Sequence, residues 1–179
     1  MPRARVFAMA LAVSAVGVVA ADAPVQKAHA DITGTGVSGK LELTETKLGN
    51  GTEVAVSLNV KGLAPGLHGV HFHAVGKCTP DFDAANGHFD PGPAGNTDPD
   101  ANHPFHMGDL PNLSVSTNGE GTMRTRTNRV TLASGALSLF DADGTAIMIH
   151  ANPDQGITGQ PKSGVSGGPR VACGVIVKG

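Results

Sequence analysis

The sequence predicts an all-β domain, an antiparallel sandwich or barrel with two long functional loops. Two observations predict it: runs in which apolar and polar residues alternate, and Gly, Asn and Asp clusters that turn the chain between those runs. A third sets the loops apart, since two long stretches have no period at all. The 179 residues suit one ordinary domain, and 40% hydrophobic with 16% charged residues is the composition of a folded globule.

Residues 1–30 read as a secretory leader. Arg3 and Arg5 precede the apolar run Val6 to Ala20, and the small residues Ala28 and Ala30 follow. That run falls short of the roughly 20 residues that span a bilayer, and no second hydrophobic stretch occurs downstream. A cut after Ala30, or after Ala21 or Ala23, fits the pattern, and a retained anchor is the other reading. No Cys lies near these cuts to carry a lipid. Removal of residues 1–30 takes three positive charges and one negative, which moves the formal charge from −2 to −4 and argues against a nucleic-acid partner. Two cysteines, Cys78 and Cys173, remain, and an even count in an exported chain favours one disulfide.

The strands follow in order. Leu41 and Leu43 alternate with Glu42 and Thr44, Leu48-Gly49-Asn50-Gly51 turns the chain, and Val54, Val56, Leu58 and Val60 alternate with polar residues up to Lys61. This is a hairpin with one apolar face. Leu113 and Val115 lead into Asn118-Gly119-Glu120-Gly121, after which Met123 to Leu132 has β-like composition. Leu137 to Phe140 and Ala146 to His150 flank a further turn at Asp141-Ala142-Asp143-Gly144. The stretches Gly76 to Pro111 and Asn152 to Pro169 are the aperiodic loops, and loops longer than about 15 residues in a compact domain are usually functional or disordered.

Histidine placement points to metal chemistry. Of eight histidines only His29 falls in the leader, and the rest crowd into three short regions. His71 and His73 lie two apart on a strand, so both leave from one face and a single ion can take both. His103, His106 and Asp109 supply two imidazoles and a carboxylate within seven residues, a set suited to zinc once a fourth donor such as His88 arrives. A histidine shared between two sites can bridge two cations through its two nitrogens.

Four ordered motifs resemble the copper,zinc superoxide dismutases: Gly66-Leu67-His68-Gly69-Val70-His71-Phe72-His73, Gly87-His88-Phe89-Asp90-Pro91, His106-Met107-Gly108-Asp109-Leu110, and Gly168-Pro169-Arg170-Val171-Ala172-Cys173-Gly174-Val175-Ile176. The resemblance runs from about Thr33 to Lys178 and implies the bacterial exported type and a Greek-key topology. It implies a copper ion on His71, His73, His88 and His150, and a zinc ion on His88, His103, His106 and Asp109, with His88 as the bridge. Cys78 and Cys173 match the family's disulfide, Arg170 its anion-docking arginine, Asp154 a carboxylate that links ligands of the two metals, and His68 a histidine bonded to loop backbone. The implied reaction turns superoxide into dioxygen and hydrogen peroxide, with Arg170 and His88 in the catalytic roles. No side chain here exchanges single electrons unaided; imidazole suits copper in both oxidation states, and zinc does not cycle.

The chain departs from several relatives between His88 and His103, where no histidine occurs and the spacer before His106 is only Pro104-Phe105. The second loop offers only Lys162 as a further cation. A non-catalytic copper buffer of the same fold is the rival reading. Gly34-Thr35-Gly36-Val37-Ser38-Gly39 and Gly164-Val165-Ser166-Gly167-Gly168 spell a dinucleotide fingerprint and a nucleophile elbow, but neither has the strand and helix context its chemistry needs. The expected partner is the superoxide anion, with no membrane contact after leader removal. Monomer and homodimer both stay open, since Trp and Tyr, the usual interface anchors, are absent.

Overall fold

The computed structural model describes residues 25–92 and 95–179. Ten strands make one antiparallel sheet that curls into a nearly closed barrel; among the described residues there is no α-helix, only a 3₁₀ turn over Phe82–Ala85. In chain order the strands are β1 Gln26–Gly34, β2 Val37–Leu48, β3 Gly51–Lys61, β4 Gly66–His68, β5 Val70–His73, β6 Leu113–Val115, β7 Glu120–Thr127, β8 Ala146–His150, β9 Arg170–Val175 and β10 Val177–Lys178. Their spatial order is β4-β6-β7-β3-β2-β1-β9-β8-β5, with β10 beside β1. Strands β4 and β5 end the path on opposite sides yet are separated in the chain only by Gly69. The chain itself therefore joins the two ends of the sheet.

The alternation read from the sequence sets the core. Leu41 and Leu43 of β2 and Val54, Val56, Leu58 and Val60 of β3 are buried, while their neighbours face water. Val70 and Phe72 join the same core from β5, with Ile147 and Ile149 of β8. At about 25 cal/mol per Å² of apolar surface removed from water, such side chains contribute roughly 1.5–3 kcal/mol each before entropy is counted.

Three features differ from the expectations above. Strand β1 pairs with β2 from Gln26 onward and buries Ala28, Ala30 and Ile32, so the expected leader boundary at Ala30 falls inside a strand. The rest of the expected leader, residues 1–24 with the alternative cuts, lies outside the described residues. Strand β7 stops at Thr127 rather than continuing to Leu132, and Leu137 to Phe140 form only a single bridge, Thr131 to Ser138. The physical reason is Glu45. It occupies the inward face of β2, is 5% exposed, and its carboxylate takes the Leu132 and Ala133 N–H groups at 2.8 and 2.9 Å and the Thr131 hydroxyl at 2.5 Å. Backbone donors that a strand partner would use are spent on a side chain, while Val130, Leu132 and Leu139 still bury their apolar groups.

The first long loop follows β5, and Cys78 within it is bonded to Cys173 of β9, closing a separation of 95 residues. Its later part runs against β5. Phe72 N–H donates to Gly108 O, Phe89 N–H to Phe72 O, and Gly108 N–H to Phe89 O, all within 2.9 Å. Glycine is required for that approach, because a Cβ on Gly108 would sit 2.4 Å from Phe72 O.

Candidate metal centre

Strand geometry and one irregularity assemble the first cluster. On β5, His71 and His73 share a face and are fully buried. His150 ends β8 where the register with β9 shifts between Ile149 and His150, a bulge that turns its ring toward the other two. The loop brings His88 beside β5 through a bridge to His73. One ligand-capable atom from each of His71, His73, His88 and His150 lies within 4.8 Å of the other three.

In each of the four rings one nitrogen is held and the other is free. His71 Nε2 donates to Asp154 at 3.0 Å, His73 Nδ1 to Asn86 O at 2.8 Å, His150 Nδ1 to Gly168 O at 2.8 Å, and His88 Nδ1 to Asp109 at 2.8 Å. The opposite nitrogens, His71 Nδ1, His73 Nε2, His88 Nε2 and His150 Nε2, are buried without a hydrogen-bond partner. A buried polar atom left unpaired costs about 1–3 kcal/mol, so four converging orphans call for a ligand that accepts lone pairs. Burial, then the charge of His88, pushes His71 and His73 well below the ordinary imidazole value. Burial pushes His150 down to about 4 and lowers His88 as well. Neutral rings with fixed tautomers are what metal ligation by imidazole requires.

The second cluster joins the first through His88. Ligand atoms of His88, His103, His106 and Asp109 again lie within 4.8 Å of one another. Asp109 Oδ2 is 3.1 Å from His106 Nδ1, 3.3 Å from His103 Nδ1 and 3.0 Å from the His106 backbone N–H. Burial works against ionisation of Asp109, but hydrogen bonds from His103, His106 and His88 hold its carboxyl well below the usual range. His103 moves the other way: burial lowers it, yet Asp109 and Asp154 outweigh that and raise it to about 9. The tight spacer thus brings His103 to the cluster, and Arg129 fixes the spacer by donating Nη1 to Pro104 O at 3.1 Å and His106 O at 3.2 Å. Nothing in the sequence pattern pointed to Arg129, since it lies more than 20 residues from both acceptors.

Asp154 spans the two clusters, taking His71 Nε2 on one oxygen and His103 Nε2 at 2.6 Å on the other. Asn112 seats it by accepting its backbone N–H and donating to its carbonyl, both at 2.8 Å. His68 bridges two carbonyls, with Nδ1 2.7 Å from His150 O and Nε2 2.8 Å from Ala64 O, and so ties β4 to the end of β8.

A cleft of about 630 Å³ reaches the first cluster, lined by His150, Arg170, Asn86, Lys162, Asp83 and Asp100 among others. Arg170 is gripped by carbonyls, Nη1 to Phe82 O at 2.7 Å and Nη2 to Asn86 O at 2.6 Å, while exposed Asp83 stands 3.7 Å away. The disulfide holds both ends of this grip, because Cys78 precedes Phe82 and Cys173 shares β9 with Arg170. A fixed guanidinium beside a cleft is suited to a small anion. The donor set of four imidazoles next to three imidazoles and a carboxylate is suited to a redox ion beside a zinc ion.

Comparison with known proteins agrees with that chemistry. Residues 37–176 match the family model described as copper/zinc superoxide dismutase. A superoxide dismutase [Cu-Zn] of Caulobacter vibrioides is 43% identical over 145 residues, covering 78% of each chain. One from Escherichia coli K12 is 35% identical, covering 98% of this chain and 99% of its own. The crystal structure of a SOD-like protein from Bacillus subtilis superposes with a TM-score of 0.67 at 30% identity, over 83% of this chain and 97% of that one.

Proposed function

This chain belongs to the copper/zinc superoxide dismutase family and is an enzyme that converts superoxide to dioxygen and hydrogen peroxide with copper and zinc, and we propose that His71, His73, His88 and His150 hold its copper while His88, His103, His106 and Asp109 hold its zinc. The observation that carries the assignment is the convergence of unpartnered, buried imidazole nitrogens on one point. Copper bound there supplies the one-electron exchange that the side chains lack.

The remaining roles fall to the chain's own groups. Arg170 docks the anion at the cleft wall, its fork oriented by Phe82 O and Asn86 O. His88 keeps Nδ1 on the Asp109 side and presents Nε2 to the first cluster, where that nitrogen can carry a proton whenever it is not a ligand. Asp154 orients one ligand of each metal, and His68 sets the backbone of His150. The intact disulfide supports export to an oxidising compartment, periplasmic, secreted or cell-surface. Leader cleavage after Ala21 or Ala23 would leave β1 whole, whereas a cut after Ala30 would remove five of its paired residues.

A copper buffer would need affinity alone. The placement of Arg170 in the cleft, gripped by two carbonyls, favours the enzyme. Metal content and superoxide decay measured on one sample separate the two readings. One copper and one zinc per chain with accelerated decay is the expected result, and bound metal without acceleration would leave only the buffer.

A further inference from the structure

Asn86 closes the 3₁₀ turn with φ 62° and ψ −153°. That pair lies in a region of backbone space essentially confined to glycine, and residues persist there only when the surroundings enforce it, most often at functional sites. The surroundings here are known. The Asn86 carbonyl is the shared acceptor of His73 Nδ1 at 2.8 Å and Arg170 Nη2 at 2.6 Å, so the peptide cannot turn without releasing a cluster histidine and the docking arginine together.

Those bonds explain the conformation but not the residue. A glycine would present the same carbonyl to the same donors without strain, so the asparagine side chain needs a reason of its own. It is exposed on the wall of the cleft that holds His150, Arg170 and Lys162. Among the described residues its carboxamide takes part in no hydrogen bond, whereas Asn112 and Asn118 spend theirs on neighbouring groups. Arg170, meanwhile, has committed donors from both terminal nitrogens to carbonyls.

We propose that Asn86 is a further anion-contacting residue of the cleft, whose carboxamide N–H₂ donates to the small monoanion that Arg170 docks. The inference rests on the copper reading above. An amide adds a hydrogen bond without adding charge, so its contribution should persist where salt has screened the cationic groups. It would select small hydrogen-bond-accepting anions rather than anions in general.

Azide, a monoanion that ligates Cu(II), is the probe, added to the copper- and zinc-loaded full chain and followed by copper absorption at low and high salt. The thermal midpoint is read on the same proteins. Asn86→Gly is expected to raise the midpoint, by relieving the backbone, and yet to weaken azide binding ~3–10-fold at both salt concentrations, the equivalent of one neutral hydrogen bond. A role limited to structure would not separate the two readouts. Unchanged azide affinity in Asn86→Gly would overturn the proposal and leave the copper assignment standing. Copper absorption that azide fails to move in the wild-type protein would overturn both.

Discussion

Asp100 receives Ser166 twice on one oxygen, the backbone N–H at 3.1 Å and the hydroxyl at 2.9 Å, and both residues are buried. Its other oxygen takes Gly164 N–H at 2.9 Å, and its carbonyl takes Gly159 N–H at 2.7 Å. One side chain of the first loop therefore clasps the second, around the exposed Lys162 that borders the cleft. Burial opposes ionisation of Asp100, but the donors of Gly164 and Ser166 lower its carboxyl below the ordinary value. Asp100→Ala should strand three donors and cost about 2–4 kcal/mol. Amide hydrogen exchange should quicken over residues 159–166, with metal content near normal. Unaltered exchange there would show that the clasp is redundant.

Arg129 should govern zinc retention more than copper retention. Among the described residues its guanidinium hydrogen-bonds only the carbonyls of Pro104 and His106, on either side of the exposed Phe105. Outer partners of metal ligands typically contribute 10–100-fold in affinity, so Arg129→Ala should lose about tenfold or more for zinc in competition with a chromophoric chelator. Arg129→Lys should recover only part, because the shorter lysine arm does not carry its nitrogen to the point where Nη1 meets both carbonyls. Equal loss of both metals would point to general unfolding instead.

Glu45 should give the fold an acid-sensitive component. Burial raises its carboxyl, but the Thr131 and Thr52 hydroxyls and the Leu132 and Ala133 N–H groups prevail and lower it from 4.5. A folded value below the unfolded one means stabilisation that is present above about pH 4.5 and lost as the pH falls through the folded value. Glu45→Gln should be less stable than wild type by about 1–2 kcal/mol at neutral pH. The gap should narrow in acid, read as denaturant midpoints, and a gap independent of pH would assign the effect to packing.

His88 serves both clusters, so its loss should not be local. In His88→Ala both copper and zinc occupancy should fall, measured by elemental analysis after dialysis against apo buffer. Normal zinc retention would show that His88 does not bridge.

Much of this cluster is legible in the sequence, for physical reasons that apply residue by residue. His71 and His73 declared themselves because a strand throws alternate side chains to one face, and His88, His103, His106 and Asp109 because chance does not crowd imidazoles and a carboxylate so closely. The parts that escaped depend on long-range pairing. Strand β1 escaped because two of the inward positions of its alternation, Ala28 and Ala30, are small and give a weak apolar signal. Residues 128 to 140 looked like strand because Val130, Leu132 and Leu139 are apolar, yet their backbone bonds go to a glutamate more than 80 positions earlier. Arg129 and Asp100 act on segments that only the fold brings near.

The strip of loop that lies along β5 has a consequence for solubility. A sheet edge with free N–H and C=O groups invites another chain to pair with it, and natural proteins cover such edges. Here the covering is the backbone at Gly87 to Phe89 and at Gly108 to Leu110, two ends of the loop that also carries His88, His103, His106 and Asp109. A chain whose first long loop loosens would uncover the margin of β5, with its apolar Val70 and Phe72, to other chains. Whatever anchors that loop thereby also guards the protein against self-association into extended β aggregates.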